Sequence, residues 1–319
     1  MLLMLDSELR DSGFPLTWDN TLLSKACKCP RSLYWFLRRL DQKNPPAYFA
    51  WGRAFGEGLN KWHASQGKGD YLDRLSDAIL AMEAEWNKDI PFESKNDTWE
   101  NMENTLKLYT EIYGEEEPWT MTYDVGELGF DFPIPGTDWN YGGSIDAPIT
   151  WPGYGDLFRE DKTTGSYINV NGVDSYVISW DYASQVKGYA WAYAQMYGEA
   201  PFGAYMNIIS KQKRKAGSEA LRFKRYLVTI SDWEIQKFIE DTVTLIKIIK
   251  QYWDDWNWPR LGTRDAINCT GGAGRSPCIY RYLCQMEMEP WDMEDMYDYS
   301  EEFVWRDKWE PWKREGANE

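Results

Sequence analysis

Asp146, Glu160 and Lys162 are the residues whose types and spacing best suit joint chemistry. Asp146 closes the run Tyr141-Gly-Gly-Ser-Ile-Asp146, and Glu160-Asp161-Lys162 follows after a short connection. Two acids on neighbouring strands can hold a hard divalent cation between them. A lysine two residues beyond the second acid points to the same strand face, so its ammonium reaches the same pocket. That set is the minimum apparatus for metal-assisted phosphodiester hydrolysis. Downstream, Gln185 and Tyr189 stand one helical turn apart in Gln185-Val-Lys-Gly-Tyr189.

Taken singly, each residue has a plain structural alternative. Asp146 after two glycines suits a turn, and Glu160-Asp161-Lys162 suits an exposed strand end with a local ion pair. Gln185 and Tyr189 suit any amphipathic helix. The joint pattern, in order and on matching elements, favours a site. Asp, then Glu-x-Lys, then Gln-x-x-x-Tyr resembles the PD-(D/E)XK nuclease superfamily in its RecB-like branch, over roughly residues 22–284. The resemblance implies an α/β restriction-endonuclease-like core, a small mixed sheet flanked by helices. It also implies Mg²⁺ or Mn²⁺ on Asp146, Glu160 and the backbone carbonyl of Asp161, all-oxygen ligands suited to those ions. Lys162 is then expected to position or stabilise the attacking hydroxide. Gln185 and Tyr189 are expected to contact the DNA backbone or orient Lys162.

One departure concerns the early helix. Many RecB-like nucleases carry a histidine ligand in Gly-x-x-x-His, and the comparable stretch here is Gly52-Arg-Ala-Phe-Gly56-Glu57, with Gly56 at the histidine position. Glu57 is an adjacent carboxylate. His63 is the one histidine of the chain, and a lone histidine on such a helix is more often a surface or core residue than a ligand.

Composition narrows the alternatives. One histidine leaves little room for a Ser-His-Asp triad, and neither a zincin motif nor a Walker A loop is present. Any motor activity would have to come from a partner. No apolar run is long enough for a membrane helix, and Met1–Leu5 lacks the features of a signal peptide, so a cytoplasmic protein without a membrane partner is expected. The net charge of −16 speaks to solubility rather than to a site. A nucleic-acid reading needs a local basic surface. Lys211, Lys213, Arg214, Lys215, Arg222, Lys224 and Arg225 supply one on an expected hairpin, with a weaker cluster at Arg31, Arg38 and Arg39. The alternative is that these are ordinary solvated charges. Nineteen tryptophans include candidates for stacking on unpaired bases, although most are expected in the core.

The elements that must position these residues follow from periodicity. Helices are expected over 18–40 with a break near Pro30, and over 48–65, 71–89 and 98–113. Strand-like runs follow at 121–134, 139–149 and 157–162, then a helix over 180–197 and strands at 202–210 and 223–230. Ser231-Asp-Trp-Glu234 is a capping box opening a helix to about Trp256. One nuclease domain over 1–319 is expected, with a helical part at 18–115, a catalytic core at 119–256 and a cysteine-bearing segment with an acidic, Trp-rich tail at 257–319.

Five cysteines in a reducing compartment suggest metal before disulfides. Cys29 near the start and Cys269, Cys278 and Cys284 near the end resemble the iron–sulfur subgroup of these nucleases, which includes AddB-type recombination nucleases and CRISPR-associated exonucleases and has phage relatives. The resemblance implies a 4Fe–4S cluster on those four thiolates, clipping the first helices to the C-terminal segment. The first gap of the trio is longer than the subgroup's usual one. Cys27 competes with Cys29, which fits the opening Cys-Pro-Arg motif better. Zinc on four cysteines and buried free thiols are the other readings.

Together these features point to a metal-dependent DNA exonuclease with a structural cluster, acting on single strands or duplex ends in recombination, repair, phage DNA metabolism or CRISPR adaptation. A helicase, recombinase or annealing protein is the expected partner. The rival from another class is a non-catalytic, DNA-end-binding or cluster-bearing subunit.

Overall fold

The computed structural model describes residues 4–44, 46–88, 95–114, 117–122, 127–168, 174–213, 222–260, 267–271, 277–285 and 303–313. The fold is mixed α/β, and the chain forms two compact units interleaved along the sequence. Unit 1 takes residues 1–44, 131–143 and 236–311, and unit 2 takes 45–130, 144–235 and 312–319. This division cuts across the three contiguous parts expected from sequence.

Unit 1 opens with α1 (Asp6–Asp11), β1 (Thr17–Trp18), α2 (Asn20–Lys28), α3 (Pro30–Leu37) and β2 (Leu40–Gln42). The expected break at Pro30 is there. Cys29 is extended between the two helices, and Pro30 takes the first turn of α3, where its missing N–H costs nothing.

Unit 2 begins with three helices, α4 (Ala47–Ala64), α5 (Tyr71–Trp86) and α6 (Trp99–Tyr113). Asp70 and Thr98 cap α5 and α6 by accepting from backbone amides. Their apolar stripes meet in a core of Trp51, Phe55, Leu59, Met82 and Leu106. After β3 (Thr120–Met121) the chain runs through β4 (Leu128–Pro133) and β5 (Asn140–Ile145), then β6 (Ala147–Trp151) and β7 (Gly155–Thr164). A short helix α7 (Ser175–Ile178) and a 3₁₀ turn (Ser179–Tyr182) lead into α8 (Ser184–Tyr197), β8 (Gly203–Ser210) and β9 (Phe223–Thr229). The expected helix over 180–197 thus starts later, because Ala183 is extended.

The central sheet has the order β3-β6-β7-β8-β9. Only the β7–β8 pair is parallel, and α8 is the crossover that makes it so. On one face of β7, Phe158 meets Tyr189 of α8, with ring centroids 6.1 Å apart. On the other, Arg159 reaches Asn60 of α4 at 2.8 Å. The sheet is therefore flanked by α8 on one side and by the α4–α6 layer on the other. Gly52 allows α4 this approach to the sheet, and Gly203 allows β9 to approach β8. A Cβ on Gly52 of α4 would stand 3.3 Å from Thr163 Oγ1, and one on Gly203 would stand 2.1 Å from the Val228 carbonyl.

Two strand expectations need correction. The run 121–134 divides into β3 and β4, with 123–126 outside the described residues. The run 139–149 breaks at Asp146: β5 joins the sheet β1-β5-β4, whereas β6 joins the central sheet. The cause is local. The Asp146 side chain accepts the Asp161 amide at 2.7 Å, in place of a further ladder carbonyl.

The Ser231–Glu234 capping box forms, with Ser231 N–H donating to Glu234 Oε2 at 3.0 Å and Glu234 N–H to Ser231 Oγ at 3.3 Å. It opens α9 (Asp232–Asp254), followed by α10 (Ile267–Thr270), α11 (Arg281–Gln285) and β10 (Phe303–Trp305), which pairs with β2. Among the described residues no helix is long and apolar enough to cross a membrane.

Candidate active site

Alternation along β7 points Glu160 and Lys162 to the α8 face and Asp161 to the opposite one. Lys162 Nζ contacts Glu160 Oε1 directly. From the first turn of α8, Gln185 Nε2 donates to the same Glu160 oxygen at 3.0 Å and to Tyr189 Oη at 2.9 Å. Asp146 stands at the entrance of β6, tied to β7 through the Asp161 amide. The five candidate side chains Asp146, Glu160, Lys162, Gln185 and Tyr189 are thus brought together within unit 2. Asp161 joins them through its backbone alone, because its carboxylate faces the helices behind the sheet.

The electrostatics are those of acids crowded in a dry place. Burial, then the charges of Glu160 and Asp161, push the Asp146 carboxyl well above its ordinary range, with Lys162 opposing. Burial also raises Glu160, again against the pull of Lys162. For Lys162 burial alone would lower the pKa, but Glu160 and Asp146 outweigh it and hold the ammonium firmly charged. Glu160 is 2% exposed, and its Oε2 has no hydrogen-bond partner among the described residues. An ionised oxygen in that position is costly unless a cation or donor meets it. The donors fit a hard cation: the Asp146 and Glu160 carboxylates are all-oxygen ligands beside an unmet acceptor. The described residues hold no group of three or more His, Cys, Asp or Glu side chains suited to share one ion, so the backbone and water would have to complete the shell.

Sequence reasoning missed three neighbours. Glu127 adds negative charge near both Asp146 and Glu160 and accepts from Ser144 Oγ at 3.3 Å. Trp180, in the 3₁₀ turn, places its ring 5.4 Å from Lys162 Nζ, and Tyr176 also feels that ammonium. Nothing in the local sequence marks Glu127. The proximity of 176–182 to α8 is the signal that could have found the aromatic pair.

Other candidates lie elsewhere. Glu57 is exposed and interacts with Lys88. His63 is buried behind the sheet, where its Nε2 lies 3.4 Å from Tyr109 Oη and its ring 5.1 Å from that of Trp119. Burial, reinforced by Arg159, Arg225 and Arg74, drives its pKa far down, so it is neutral. The expected basic surface is corrected in part: Lys213 is exposed and Lys224 half-buried, but other members turn inward. Lys211 is 5% exposed and paired with Asp97. Arg222 donates to Asn101 Oδ1 at 2.9 Å and to Thr105 Oγ1 at 2.7 Å, and Arg225 bonds Glu117 and Tyr109. These three cations serve the interior, where an unpaired charge would be prohibitive. Arg38 is likewise buried, donating to the Met4 carbonyl at 2.8 Å. Arg214 and Lys215 lie outside the described residues.

Unit 1 holds the cysteines. Burial raises the thiol of Cys269, with Cys29 adding to it, and raises that of Cys278, with Cys269 and Cys29 adding. The Cys284 thiol is raised by burial and also feels Cys278 and Cys29. The four are therefore within electrostatic reach of one another, though not gathered to ligand distance. Cys27 is exposed and no cysteine acts on it. Cys29, unlike Cys27, thus shares its surroundings with the three C-terminal thiols.

No family model matches this chain, and no curated protein matches it. Among solved structures it is similar to a candidate exonuclease from Eubacterium rectale, with 13% identity and a TM-score of 0.44 over 84% of this chain and 92% of that one. It is also similar to SSO0001, with 13% identity and a TM-score of 0.30 over 76% and 84% of the respective chains. At TM-scores below 0.5 neither likeness fixes a fold family or an activity.

Proposed function

We propose that this chain is a metal-dependent DNA nuclease of the PD-(D/E)XK type, acting as an exonuclease. The observation that carries the reading is the gathering of Asp146, Glu160 and Lys162 on the α8 face of the central sheet, with a Glu160 oxygen left unmet. The order of antiparallel strands, crossover helix and parallel strand supports it. Asp146, Glu160 and the Asp161 carbonyl would hold Mg²⁺ or Mn²⁺, which supplies Lewis acidity and a water of lowered pKa when bound. Lys162 places its ammonium where negative charge develops on phosphoryl oxygens in the transition state. Gln185 holds Glu160 in one rotamer and is itself oriented by Tyr189. The substrate in this reading is single-stranded DNA or duplex ends, in recombination, repair or phage DNA metabolism in the cytoplasm. A 4Fe–4S cluster on Cys29, Cys269, Cys278 and Cys284 would have a structural role.

The test is cleavage of end-labelled linear and covalently closed circular DNA with Mn²⁺. The expected result is degradation of linear molecules only, lost in Lys162→Ala. Equal cleavage by Lys162→Ala would remove the reading. Binding to ends without cleavage by the wild type would favour a non-catalytic subunit.

A further inference from the structure

The residue between Glu160 and Lys162 faces the far side of the sheet, where a strand buried on both faces ordinarily places an apolar side chain. Here it is Asp161, with its side chain 7% exposed. Arg159, fully buried, reaches Asp161 Oδ2 at 3.1 Å. Asn207, directly opposite on β8, donates to Asp161 Oδ1 at 2.8 Å and to Tyr109 Oη at 3.2 Å. Arg225 reaches the same Tyr109 oxygen at 3.2 Å and pairs with Glu117. A charged, hydrogen-bonded network thus lies in a layer that hydrophobic residues could fill at no electrostatic cost, so specificity of geometry is the benefit to look for.

The geometry points to a positioning role for this network. Asp161 touches both faces: its carboxylate is clamped behind the sheet, and its amide holds Asp146 Oδ2 at 2.7 Å in front. We propose that Asn207 and Arg159, by gripping the Asp161 side chain, fix the backbone that sets Asp146 relative to Glu160 and Lys162. The functional consequence rests on the nuclease reading, whereas the structural link does not.

The test uses the full-length protein labelled with ¹⁵N-aspartate. Asn207→Ala removes the neutral donor while leaving the Arg159 ion pair, and Asn207→Ser is the variant to use if the alanine form does not fold. Exchange of the Asp161 amide with solvent is expected to quicken at least about tenfold, with the amide of Asp156 on the same strand unchanged. Mn²⁺ binding to DNA-free protein, measured by calorimetry, is expected to weaken about tenfold, as when outer partners of a ligand are lost. That loss should vanish when Asp146→Asn is already present. An unchanged Asp161 amide overturns the proposal, as does equal quickening at the Asp156 amide, which would mean a merely structural role. A variant that keeps full Mn²⁺ affinity despite quickened Asp161 exchange overturns the functional link. Failure of the wild type to bind Mn²⁺ retires the nuclease reading, and the exchange result then decides the structural link alone.

Discussion

Asp146 is where stability and chemistry oppose each other. Its folded carboxyl titrates well above the unfolded value, chiefly through burial. Between the two values the folded state binds more protons, so stability falls as pH rises through that window and stays lower above it. Asp146→Asn keeps an oxygen for the Asp161 amide and removes the penalty. Its melting temperature at neutral pH should exceed that of the wild type by roughly 2 °C or more, by calorimetry, while cleavage disappears. A lower melting temperature would mean that the ionised carboxylate has a resident partner in the metal-free protein. The same linkage governs metal binding. A cation needs the ionised acid, so binding releases a proton, and Mn²⁺ affinity should rise with pH until the raised Asp146 carboxyl is ionised, then level off. Calorimetry in buffers of different ionisation enthalpy reads that proton directly. Lys162→Ala should cost on the order of 10²–10³ in kcat, the size associated with losing one preorganised stabilising group. The spacing of Asp146, Glu160 and Lys162 was legible because strand alternation is rigid. Glu127 was not, because its approach depends on tertiary packing.

At the scale of elements, periodicity gave the helices α4, α6 and α9 to within about two residues, since each buries a regular stripe or carries a visible cap, whereas α5 ends three residues and α8 starts four residues inside the expected run. The break at Asp146 escaped it. An alternating run such as Tyr141–Ile149 carries no mark of a side chain displacing a ladder carbonyl. The hairpin cations misled for a related reason: Lys211, Arg222 and Arg225 look solvent-facing until Asp97, α6 and the segment at Glu117 supply their partners. Arg225→Ala should therefore act on stability. Removing one partner from a buried pair leaves Glu117 uncompensated and costs about 3–5 kcal/mol in denaturant unfolding. The slope of log affinity for DNA against log salt should stay as in the wild type, because this guanidinium neutralises no phosphate. A shallower slope with unchanged stability would return Arg225 to the DNA surface.

For the molecule as a whole, the cysteines decide whether the termini of unit 1 are joined covalently or by packing alone. Packing already links them: Tyr280 donates its hydroxyl to the Leu40 carbonyl at 2.7 Å, and β10 pairs with β2. A metal–thiolate group across Cys29, Cys269, Cys278 and Cys284 would add a cross-link closing a very long loop, which removes chain entropy from the unfolded state. Cys27 offers an internal control, because it lies two positions from Cys29 yet no other thiol acts on it. Anaerobically purified Cys29→Ser should lose iron and acid-labile sulfide together with visible absorbance, and its melting temperature should fall by several degrees. Cys27→Ser should keep all three. Equal loss from both variants would mean that the neighbourhood of the four thiols does not define the ligand set. Colourless wild-type protein with one zinc would replace iron–sulfur by zinc on the same four residues. Colourless protein without metal would leave the Tyr280 and β10 contacts as the clip.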